Sequence, residues 1–367
     1  MAIQEPKQPI IESPTTNMGT LSQVRSTKDV VKNTYLSKQE KLRTTVILGD
    51  PRLPDKVKKE GKFNKEDLET IQELKQTLKL LKDFDFDYLD NHKTLFQELL
   101  HHRPNFVFNL CDEGFNNQAT QELHVPALLE MLNIPYTGAG PSCLALCYNK
   151  AATRLIAQNI GVPVPLEIYH SPSFSKVPSF PALPAIIKPN FGDGSYGITQ
   201  HSVVSTQEEF DNQMNALQIQ GFHSSLLIQE FLSGREFSVG IIGNPGSLEV
   251  LPILEIDYSS LPSHLPKLLS YESKWHPGSP YWEQVKFKAA DISHAIKRQL
   301  KDYSAALFEQ MECRDYARFD FRSDASANVK LLEVNPNPGF NWLTLDDYAD
   351  EKLLNKILTA ARKRWHL

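Results

Sequence analysis

The sequence is poor in residues that mark several common classes of protein. Its 367 residues include only four cysteines, Cys111, Cys143, Cys147 and Cys313, and none has metal-ligand spacing with a histidine. So few cysteines argue against a disulfide scaffold and predict reduced thiols. No apolar run approaches the ~18 residues that a membrane span requires, and the N-terminus lacks the apolar core of a secretory signal. We therefore expect a cytoplasmic protein with no membrane partner.

An excess of positive charge is also absent. The formal net charge is −5, so nothing indicates a nucleic acid as partner. The hydrophobic share of 41% is ordinary for a globular protein, and the length allows two or three domains. Residues 1–42 are polar and predict a flexible tail. Their surplus of basic residues leaves an organelle transit peptide as the alternative.

The stretch Arg318–Phe340 carries the strongest chemical signal, because it predicts two strands joined by a polar turn. Arg318, Asp320 and Arg322 alternate along the first strand and share one face. Glu333 and Asn335 share a face of the second in the same way. Paired strands would bring two carboxylates and an amide oxygen together, which suits Mg²⁺. The alternative is a surface hairpin with a solvated charged face.

The segment 43–140 predicts a small α/β domain. Strands at Thr44–Leu48, Phe84–Tyr88 and Asn105–Leu110 alternate with a helix that Asn64 can cap and a helix over His92–His102. The first helix is expected to bury a stripe that comprises Leu68, Ile71, Leu74, Leu78 and Leu81. This alternation predicts a parallel sheet with right-handed crossovers.

Two acidic residues follow the third of these strands. Ligands bind at the carboxyl ends of strands in such sheets, so Asp112 and Glu113 are candidates to contact a substrate. Two solvated loop acids are the alternative. A helix over Gln121–Leu132 and a short strand at Ile134–Gly138 are expected to complete the domain.

The segment 141–222 predicts a second domain with anion-binding features. Asn149 can cap a helix through Ile160, which places Lys150 in the first turn. Lys188 ends a strand over Pro184–Lys188, and a loop with three glycines in six residues, Gly192–Gly197, follows it. Such a loop can approach a phosphate closely with its N–H groups. A plain hairpin turn remains the alternative.

The segment 223–367 predicts a third unit built largely from strands. Its expected elements are strands at Ser225–Phe231, Glu236–Ile242 and Glu249–Ile256, a loop over Asp257–Trp282, and helices at Ala289–Met311 and Glu351–Arg364. The long loop is a candidate lid over a site. A protein that binds a Mg-nucleotide and transfers a phosphoryl group is indicated by the combination of Lys150, Lys188, the glycine loop, Glu236, Lys274 and the set Asp320, Glu333 and Asn335.

Over about residues 43–365 the chain resembles the ATP-grasp carboxylate–amine ligases, and among them the D-alanine–D-alanine ligases. Six motifs carry the resemblance in family order: Pro135–Arg154, Ile186–Ile198, Ile228–Val239, Tyr271–Trp275, Ala317–Arg322 and Leu331–Phe340. The resemblance implies an α/β fold, with α+β architecture in the ATP-grasp part. A small parallel-sheet N-terminal domain (43–140) would precede a two-lobed ATP-grasp unit (141–222 and 223–367).

The resemblance also implies how ATP is bound. Lys150 and Lys188 would hold its phosphates, and the glycine loop with Gly192, Gly194 and Gly197 would close over them. The residues implied to contact the nucleoside are Gln229, Glu230 and Phe231 at the adenine and Glu236 at the ribose hydroxyls.

The implied chemistry has two steps. A substrate carboxylate attacks the γ-phosphate of ATP, and an amine then attacks the resulting acyl phosphate. Asp320, Glu333 and Asn335 would hold two Mg²⁺ ions, with Mn²⁺ as an alternative metal. Arg318, Lys274 and Ser195 would be the catalytic residues, and the lid 257–283 would exclude water. Amino acids would be the substrates, and family members are commonly homodimers.

The departures from the family concern the amino-acid pockets. Gly49-Asp50-Pro51-Arg52 stands where the D-alanine ligases usually carry a glutamate, and Trp275 replaces the tyrosine that usually follows the lid lysine. Gly194 replaces the first of two loop serines, and Trp342 lies where serine-bearing residues are usual. The tryptophans either shape an altered pocket or pack ordinarily. Three hypotheses follow: a D-alanine–D-alanine ligase, a ligase of the same chemistry for other amino acids or a larger amine, and a nucleotide-binding protein without ligase activity.

Overall fold

The structure is a computed structural model that describes residues 40–171, 180, 182–192, 194–219, 224–340, 343 and 350–367. Within these residues the strands form three sheets. The predicted tail 1–42 lies almost wholly outside the described residues.

The first sheet is parallel, as predicted. It consists of β1 (Leu42–Leu48), β2 (Phe84–Leu89) and β3 (Phe106–Leu110) in the order β2-β1-β3, with α1 (Lys65–Leu78) and α2 (Leu95–His101) in the crossovers. The carboxyl ends of β1 and β3 therefore lie side by side. The short predicted strand at Ile134–Gly138 is reduced to one parallel bridge between Val107 and Tyr136.

The helix α1 begins as the sequence predicted, but its apolar stripe is narrower. Asn64 and Asp67 form a reciprocal capping box that satisfies N–H groups of the first turn. Leu68 is 49% exposed and is not part of the core. Leu81 is buried, although the helix ends at Leu78. The core therefore begins one turn later than expected and continues into the loop.

Three helices link the first sheet to the rest of the chain: α3 (His124–Met131), α4 (Pro141–Tyr148) and α5 (Lys150–Asn159). The helix expected over Gln121–Leu132 is shorter, since a separate 3-10 turn occupies Ala119–Gln121. The start of α5 is as predicted, because the Asn149 side chain accepts a hydrogen bond from the N–H of Ala152.

The second sheet is antiparallel and four-stranded. It contains β4 (Glu167–His170), β5 (Ala185–Pro189), β6 (Val203–Val204) and β7 (Leu226–Glu230) in the order β4-β7-β5-β6. The helix α6 (Gln207–Ile219) connects β6 to β7. Because β7 pairs within this sheet, we propose that the boundary between the two ATP-grasp lobes follows Glu230 instead of lying at residue 222.

The third sheet is antiparallel, with β9 beside β8 off the main order β11-β10-β8-β12-β13. Its strands are β8 (Glu236–Gly243), β9 (Glu249–Val250), β10 (Leu254–Asp257), β11 (Lys286–Ala289), β12 (Asp315–Ser323) and β13 (Val329–Asn335). Because β12 lies between β8 and β13, its backbone is paired with a strand on each side.

Three predictions for this part of the chain were wrong in detail. The strand expected over Glu249–Ile256 is divided into β9 and β10, because Pro252 between them has no N–H for a ladder. The segment expected to be a loop contains two short helices, α7 (Tyr271–Trp275) and α8 (Pro280–Gln284). Finally, α9 (His294–Gln310) starts after Ser293, which caps it, and not at residue 289.

The last helix, α10 (Glu351–Arg364), matches its prediction, packs against β8, β12 and α1, and shares a core cluster with the first sheet. The fully buried Asp315 carboxylate accepts hydrogen bonds from Gly138 N, Asn244 Nδ2 and the Arg364 guanidinium. These bonds connect α10 to the end of β8 and to the exit from the first domain. None of the helices in the described part of the chain is long and apolar enough to cross a membrane.

Candidate active site

The two strands of the acidic hairpin pair in the predicted way. Arg318 lies opposite Asn335 and Asp320 lies opposite Glu333, with a bulge directly after Asp320. The Arg318 side chain is buried, which excludes the alternative of a solvated surface hairpin. The pairing therefore brings both carboxylates to one face of the sheet.

Asp320 is held in place by three neighbours. The Arg318 guanidinium donates to it from Nε and from Nη2, at 2.9 and 2.8 Å, and Ser238 Oγ donates at 2.8 Å. Asn335 Nδ2 donates to Asp320 Oδ2 at 3.0 Å, which turns the amide nitrogen toward Asp320 and leaves the amide oxygen as an acceptor. The Asp320 carboxylate is thus fixed by donors from β8, from β13 and from its own strand.

Glu333 lies among positive charges. Burial alone would raise its pKa, but Lys150, Lys274, Arg318 and Lys188 lower the pKa to about 2. The nearest ion pair is with Lys150 Nζ, 3.5 Å from Glu333 Oε2. Glu333 is therefore a carboxylate at any physiological pH.

The metal-binding capacity of the described side chains is limited to small groups of ligands. No three His, Cys, Asp or Glu side chains in the described ranges form a metal-binding group. The predicted set instead combines two carboxylates with the Asn335 amide, and Mg²⁺ commonly takes one or two carboxylates and completes its shell with phosphates and water. The charge and donor chemistry of Asp320, Glu333 and Asn335 thus fit Mg²⁺.

The helix α5 and the glycine loop are joined at Lys150. Its Nζ donates to the carbonyl oxygen of Gly192, and its backbone N–H donates to Asn190 O at 3.1 Å. Asn190 Oδ1 accepts in turn from Ala151 N at 2.9 Å. The first turn of α5 therefore directs Lys150 between the loop and Glu333.

Lys188 is the second predicted phosphate ligand, and it is only 7% exposed. Burial, followed by the neighbouring charges of Arg154 and Lys150, lowers its pKa to about 7, although Glu333 and Glu167 oppose this. A buried ammonium that lacks sufficient counter-charge gains from the arrival of a polyphosphate.

The glycine loop uses backbone conformations that favour glycine. Gly192, Gly194, Ser195 and Gly197 have φ angles of 137°, 55°, 61° and 75°. The loop lies on the connection from β5 to β6, two antiparallel strands that are also separated by a 3-10 turn at Gln200–Ser202. Two hydrogen bonds connect the loop to the segment 257–283: Ser195 Oγ donates to Leu269 O at 2.9 Å and Trp275 Nε1 donates to Gly194 O at 3.1 Å.

The residues predicted to bind the nucleoside line the same cleft as Lys150 and Lys188. Gln229 Nε2 donates to Glu167 Oε2 at 3.0 Å. The Glu230 carboxylate accepts hydrogen bonds from Leu166 N and from Lys330 Nζ, so it connects β7 to the segment before β4 and to β13. Its backbone N–H is also used, since it donates to Leu166 O at 2.9 Å.

Glu236 is buried and pairs with two groups. Arg322 Nη1 lies 3.0 Å and Tyr258 Oη 2.8 Å from its Oε2. Burial raises the pKa of Glu236, although Arg322 and Tyr258 oppose this. Because both bonds use Oε2, the second oxygen is the one suited to accept from ribose hydroxyls.

A cleft of about 1000 Å³, including its open mouth, unites these side chains. The predicted residues that line it are Lys150, Lys188, Gly192, Ser195, Gln229, Glu230, Phe231, Glu236, Lys274, Arg318, Asp320 and Glu333. Three other predicted residues, Gly194, Gly197 and Asn335, lie outside this lining. Ser238 and Arg322 line the cleft but were not predicted as site residues, although each follows a predicted residue by two positions and shares its face.

Asp112 and Glu113 lie outside this lining. Glu113 forms an ion pair with Lys58, whose Nζ lies 3.2 Å from Oε1, and Asp112 borders a separate small recess beside Phe340. A side chain at Gly49 would collide with Glu113, since a Cβ there would lie 2.5 Å from Oε2. The third strand thus places a carboxylate beside the position after β1 where the family usually has its glutamate.

Of the two tryptophans, Trp275 has defined contacts and Trp342 lies outside the described residues. Besides its bond to the glycine loop, Trp275 lies near Lys58 Nζ, 6.0 Å from the ring centroid. Tyr271 Oη donates to Val57 O at 3.2 Å. The helix α7 therefore contacts both the glycine loop and the loop after β1.

The chain is similar to known ligases in sequence and in structure. A family model for the D-ala D-ala ligase C-terminus matches residues 167–346. The D-alanine–D-alanine ligase of Halalkalibacterium halodurans is 30% identical over 246 residues, which are 63% of this chain and 72% of that ligase.

Two solved structures share the fold. The D-alanine–D-alanine ligase of Bacillus anthracis, in complex with ATP, superposes with a TM-score of 0.63 at 18% identity and covers 88% of this chain and 98% of that one. The VanG D-Ala:D-Ser ligase of Enterococcus faecalis gives 0.62 at 15% identity, with 88% and 100% covered.

These likenesses confirm the resemblance and the fold class predicted from the six motifs. The chain belongs to the D-alanine–D-alanine ligase family of ATP-grasp proteins and is an ATP-dependent ligase that forms a carbon–nitrogen bond.

Proposed function

We propose that this protein joins the carboxylate of one amino acid to the amine of another through an acyl phosphate, in the manner of D-alanine–D-alanine ligases. The observation that carries the proposal is the convergence of Lys150, Lys188 and Arg318 on the carboxylates of Asp320 and Glu333 in one cleft. This arrangement suits a reaction in which negative charge moves between phosphate and carboxylate oxygens.

ATP is proposed to lie along the cleft. Gln229 and Phe231 face its adenine, Glu236 accepts from its ribose hydroxyls, and Lys150 and Lys188 contact its phosphates. The backbone conformations of the glycine loop allow close approach to the same phosphates. Asp320, Glu333 and Asn335 would hold two Mg²⁺, or Mn²⁺, which neutralise charge on the phosphates when bound.

The first step forms a bond between a substrate carboxylate oxygen and the γ-phosphorus, and ADP leaves. In the second step an amine nitrogen attacks the acyl carbon, the C–O bond to the phosphate breaks, and phosphate leaves with the former carboxylate oxygen. Arg318 stabilises the negative charge that develops on the acyl group, and Lys274 reaches the transferred phosphoryl group from the lid. Ser195 fixes the glycine loop through its bond to Leu269 O.

Water must be kept from the acyl phosphate, because it would hydrolyse it. The proposed lid 257–283 contributes Leu268, Leu269 and Lys274 to the cleft wall. Its contacts with Gly194 and Val57 are the means by which it closes over the substrates.

D-Alanine is the first candidate for both substrates. Different amino acids or a larger amine are the second candidate. Asp50, near the place where the D-alanine ligases usually carry a glutamate, is buried and already accepts hydrogen bonds from the Arg52 side chain and the His92 N–H. The structural neighbour from Enterococcus faecalis is a D-Ala:D-Ser ligase, so the fold accommodates a change of amine. A cytoplasmic location stays a prediction from the composition, and a homodimer stays a prediction from the resemblance.

The test is a substrate panel. The purified chain is incubated with Mg-ATP and with single and paired D- and L-amino acids, phosphate release is followed, and products are weighed. D-Alanyl-D-alanine from D-alanine alone supports the first candidate, and turnover with another pair supports the second. ATP binding without turnover across the panel would instead favour a nucleotide-binding protein without ligase activity.

A further inference from the structure

A buried ion pair lies directly behind the wall of the cleft. The Arg154 side chain is 1% exposed, and its Nε lies 2.5 Å from Glu167 Oε2. Neither residue is among the described residues that line the cleft. A buried guanidinium is costly, and Arg154 Nη2 has no hydrogen-bond partner within the described part of the chain. Buried charged groups whose hydrogen-bonding atoms are not all satisfied are often found where they position a functional site.

Arg154 connects the two lobes at the strand that bears Glu333. It lies one helical turn after Lys150 on α5, so both cations project from the same face. Arg154 Nη1 donates to Leu332 O at 3.1 Å, and Lys150 Nζ lies 3.5 Å from the Glu333 side chain of the next residue. Glu167, the partner of Arg154, belongs to the other sheet.

Glu167 in turn orients Gln229. The two residues are cross-strand neighbours on β4 and β7, and Gln229 Nε2 donates to Glu167 Oε2. An ionised carboxylate only accepts hydrogen bonds, so it selects the amide nitrogen and turns the amide oxygen away. Because Gln229 lines the cleft, that oxygen is the atom suited to accept from the exocyclic amine of adenine. Guanine carries a carbonyl oxygen there, which a second acceptor would repel.

We propose that Arg154 and Glu167 are positioning residues for the nucleotide: together they fix the Gln229 amide for adenine and hold the Leu332–Glu333 segment against Lys150. This inference rests on the proposed ATP site. It assigns to a pair of residues outside the cleft both the preference for ATP over GTP and part of the affinity for Mg-ATP. The charge of Arg154 also contributes to the lowered pKa of Lys188.

The experiment measures the Kd of Mg-ATP and Mg-GTP by calorimetry on the full chain. The variants are Arg154→Met, Arg154→Lys and Glu167→Gln, and Arg298→Met on the exposed side of α9 is the matched control. Melting curves monitor folding. We expect Arg154→Met to weaken Mg-ATP binding at least tenfold and Arg154→Lys to recover part of the loss. Glu167→Gln should reduce the ATP-over-GTP preference at least fivefold, because a neutral amide can accept or donate.

Unchanged affinities and an unchanged nucleotide preference, with only a lowered melting temperature, would reduce the pair to a structural role and overturn the inference. If Arg154→Met fails to fold, Glu167→Gln decides, and an unaltered ATP-over-GTP ratio in that variant overturns it. A wild-type chain that does not bind Mg-ATP would refute the proposed function as well. A wild type that binds ATP, with variants that bind equally, would refute this inference alone.

Discussion

At the scale of single residues, the two carboxylates of the site differ in the charged groups that surround them. Glu333 lies among four cations that lower its pKa to about 2 despite its burial. Asp320, by contrast, is bound by the Arg318 guanidinium, by Ser238 and by Asn335. Glu333 thus counterbalances the lysines that are proposed to bind phosphate, whereas Asp320 is oriented by neutral and charged donors.

We predict that Glu333→Ala abolishes ATP turnover while the protein stays folded. The change removes a proposed metal ligand and leaves Lys150 without its carboxylate, so turnover should fall about a thousandfold, as for the loss of a preorganised electrostatic group. Steady-state phosphate release and circular dichroism measure the two quantities. Glu249→Ala, which affects only the exposed pair with Lys356, is the control, and near-normal turnover of Glu333→Ala would refute the metal assignment.

The affinity for ATP should depend on pH through Lys188. Its pKa of about 7 means that the free protein carries the ammonium below pH 7 and loses it above. Because phosphate binding favours the charged form, ATP affinity should fall as pH rises from 6 to 8, by up to about tenfold per unit. Lys188→Arg keeps its charge and should flatten the profile. The phosphate groups of ATP titrate in the same way with either protein. Parallel pH profiles of ATP affinity for the unchanged protein and for Lys188→Arg would therefore contradict the prediction.

At the scale of elements, local pattern predicted more than long-range placement did. The Asn64 capping box, the start of α5 and the Asp320–Glu333 pairing follow from side-chain spacing, which is a local property. The assignment of β7 to the second sheet depends on which distant strands it pairs with, and no single stretch encodes that. The Arg154–Glu167 pair was missed for the same reason, since its members meet only after folding.

We expect the short helix α7 to hold the glycine loop closed through the hydrogen bond of Trp275. Trp275→Phe keeps the aromatic packing but removes the bond to Gly194 O, which is worth about 0.5–1.5 kcal/mol. The KM for ATP should rise roughly two- to tenfold, and more phosphate should be released per product as water enters. Trp282→Phe, at an exposed position on α8, should change neither quantity. Equal behaviour of the two variants would show that Trp275 only packs.

At the scale of the whole molecule, the cleft depends on contacts that join distant parts of the chain. Asp315 links the end of the first domain to α10, and α10 shares one core cluster with residues of the first and third sheets. Residues Lys41–Leu367 accordingly form one compact unit. We propose that the substrates meet between the first domain and the proposed ATP-binding lobes, where Trp275 contacts Gly194 and Tyr271 contacts Val57.

Deletion of residues 1–40 should leave activity unchanged, because the predicted site residues all lie within the compact unit. The kcat, the KM for ATP and the melting temperature of the shortened chain should match those of the full chain. A large loss of any of them would show that the polar N-terminal segment belongs to the folded body.

The most direct test of the central claim follows an oxygen atom. The substrate whose carboxylate reacts is labelled with ¹⁸O in that group, and the phosphate released with its partner amine is weighed. Attack of the carboxylate on the γ-phosphorus predicts one ¹⁸O in each phosphate that accompanies the product. Product formation with unlabelled phosphate would contradict an acyl phosphate and with it the proposed mechanism.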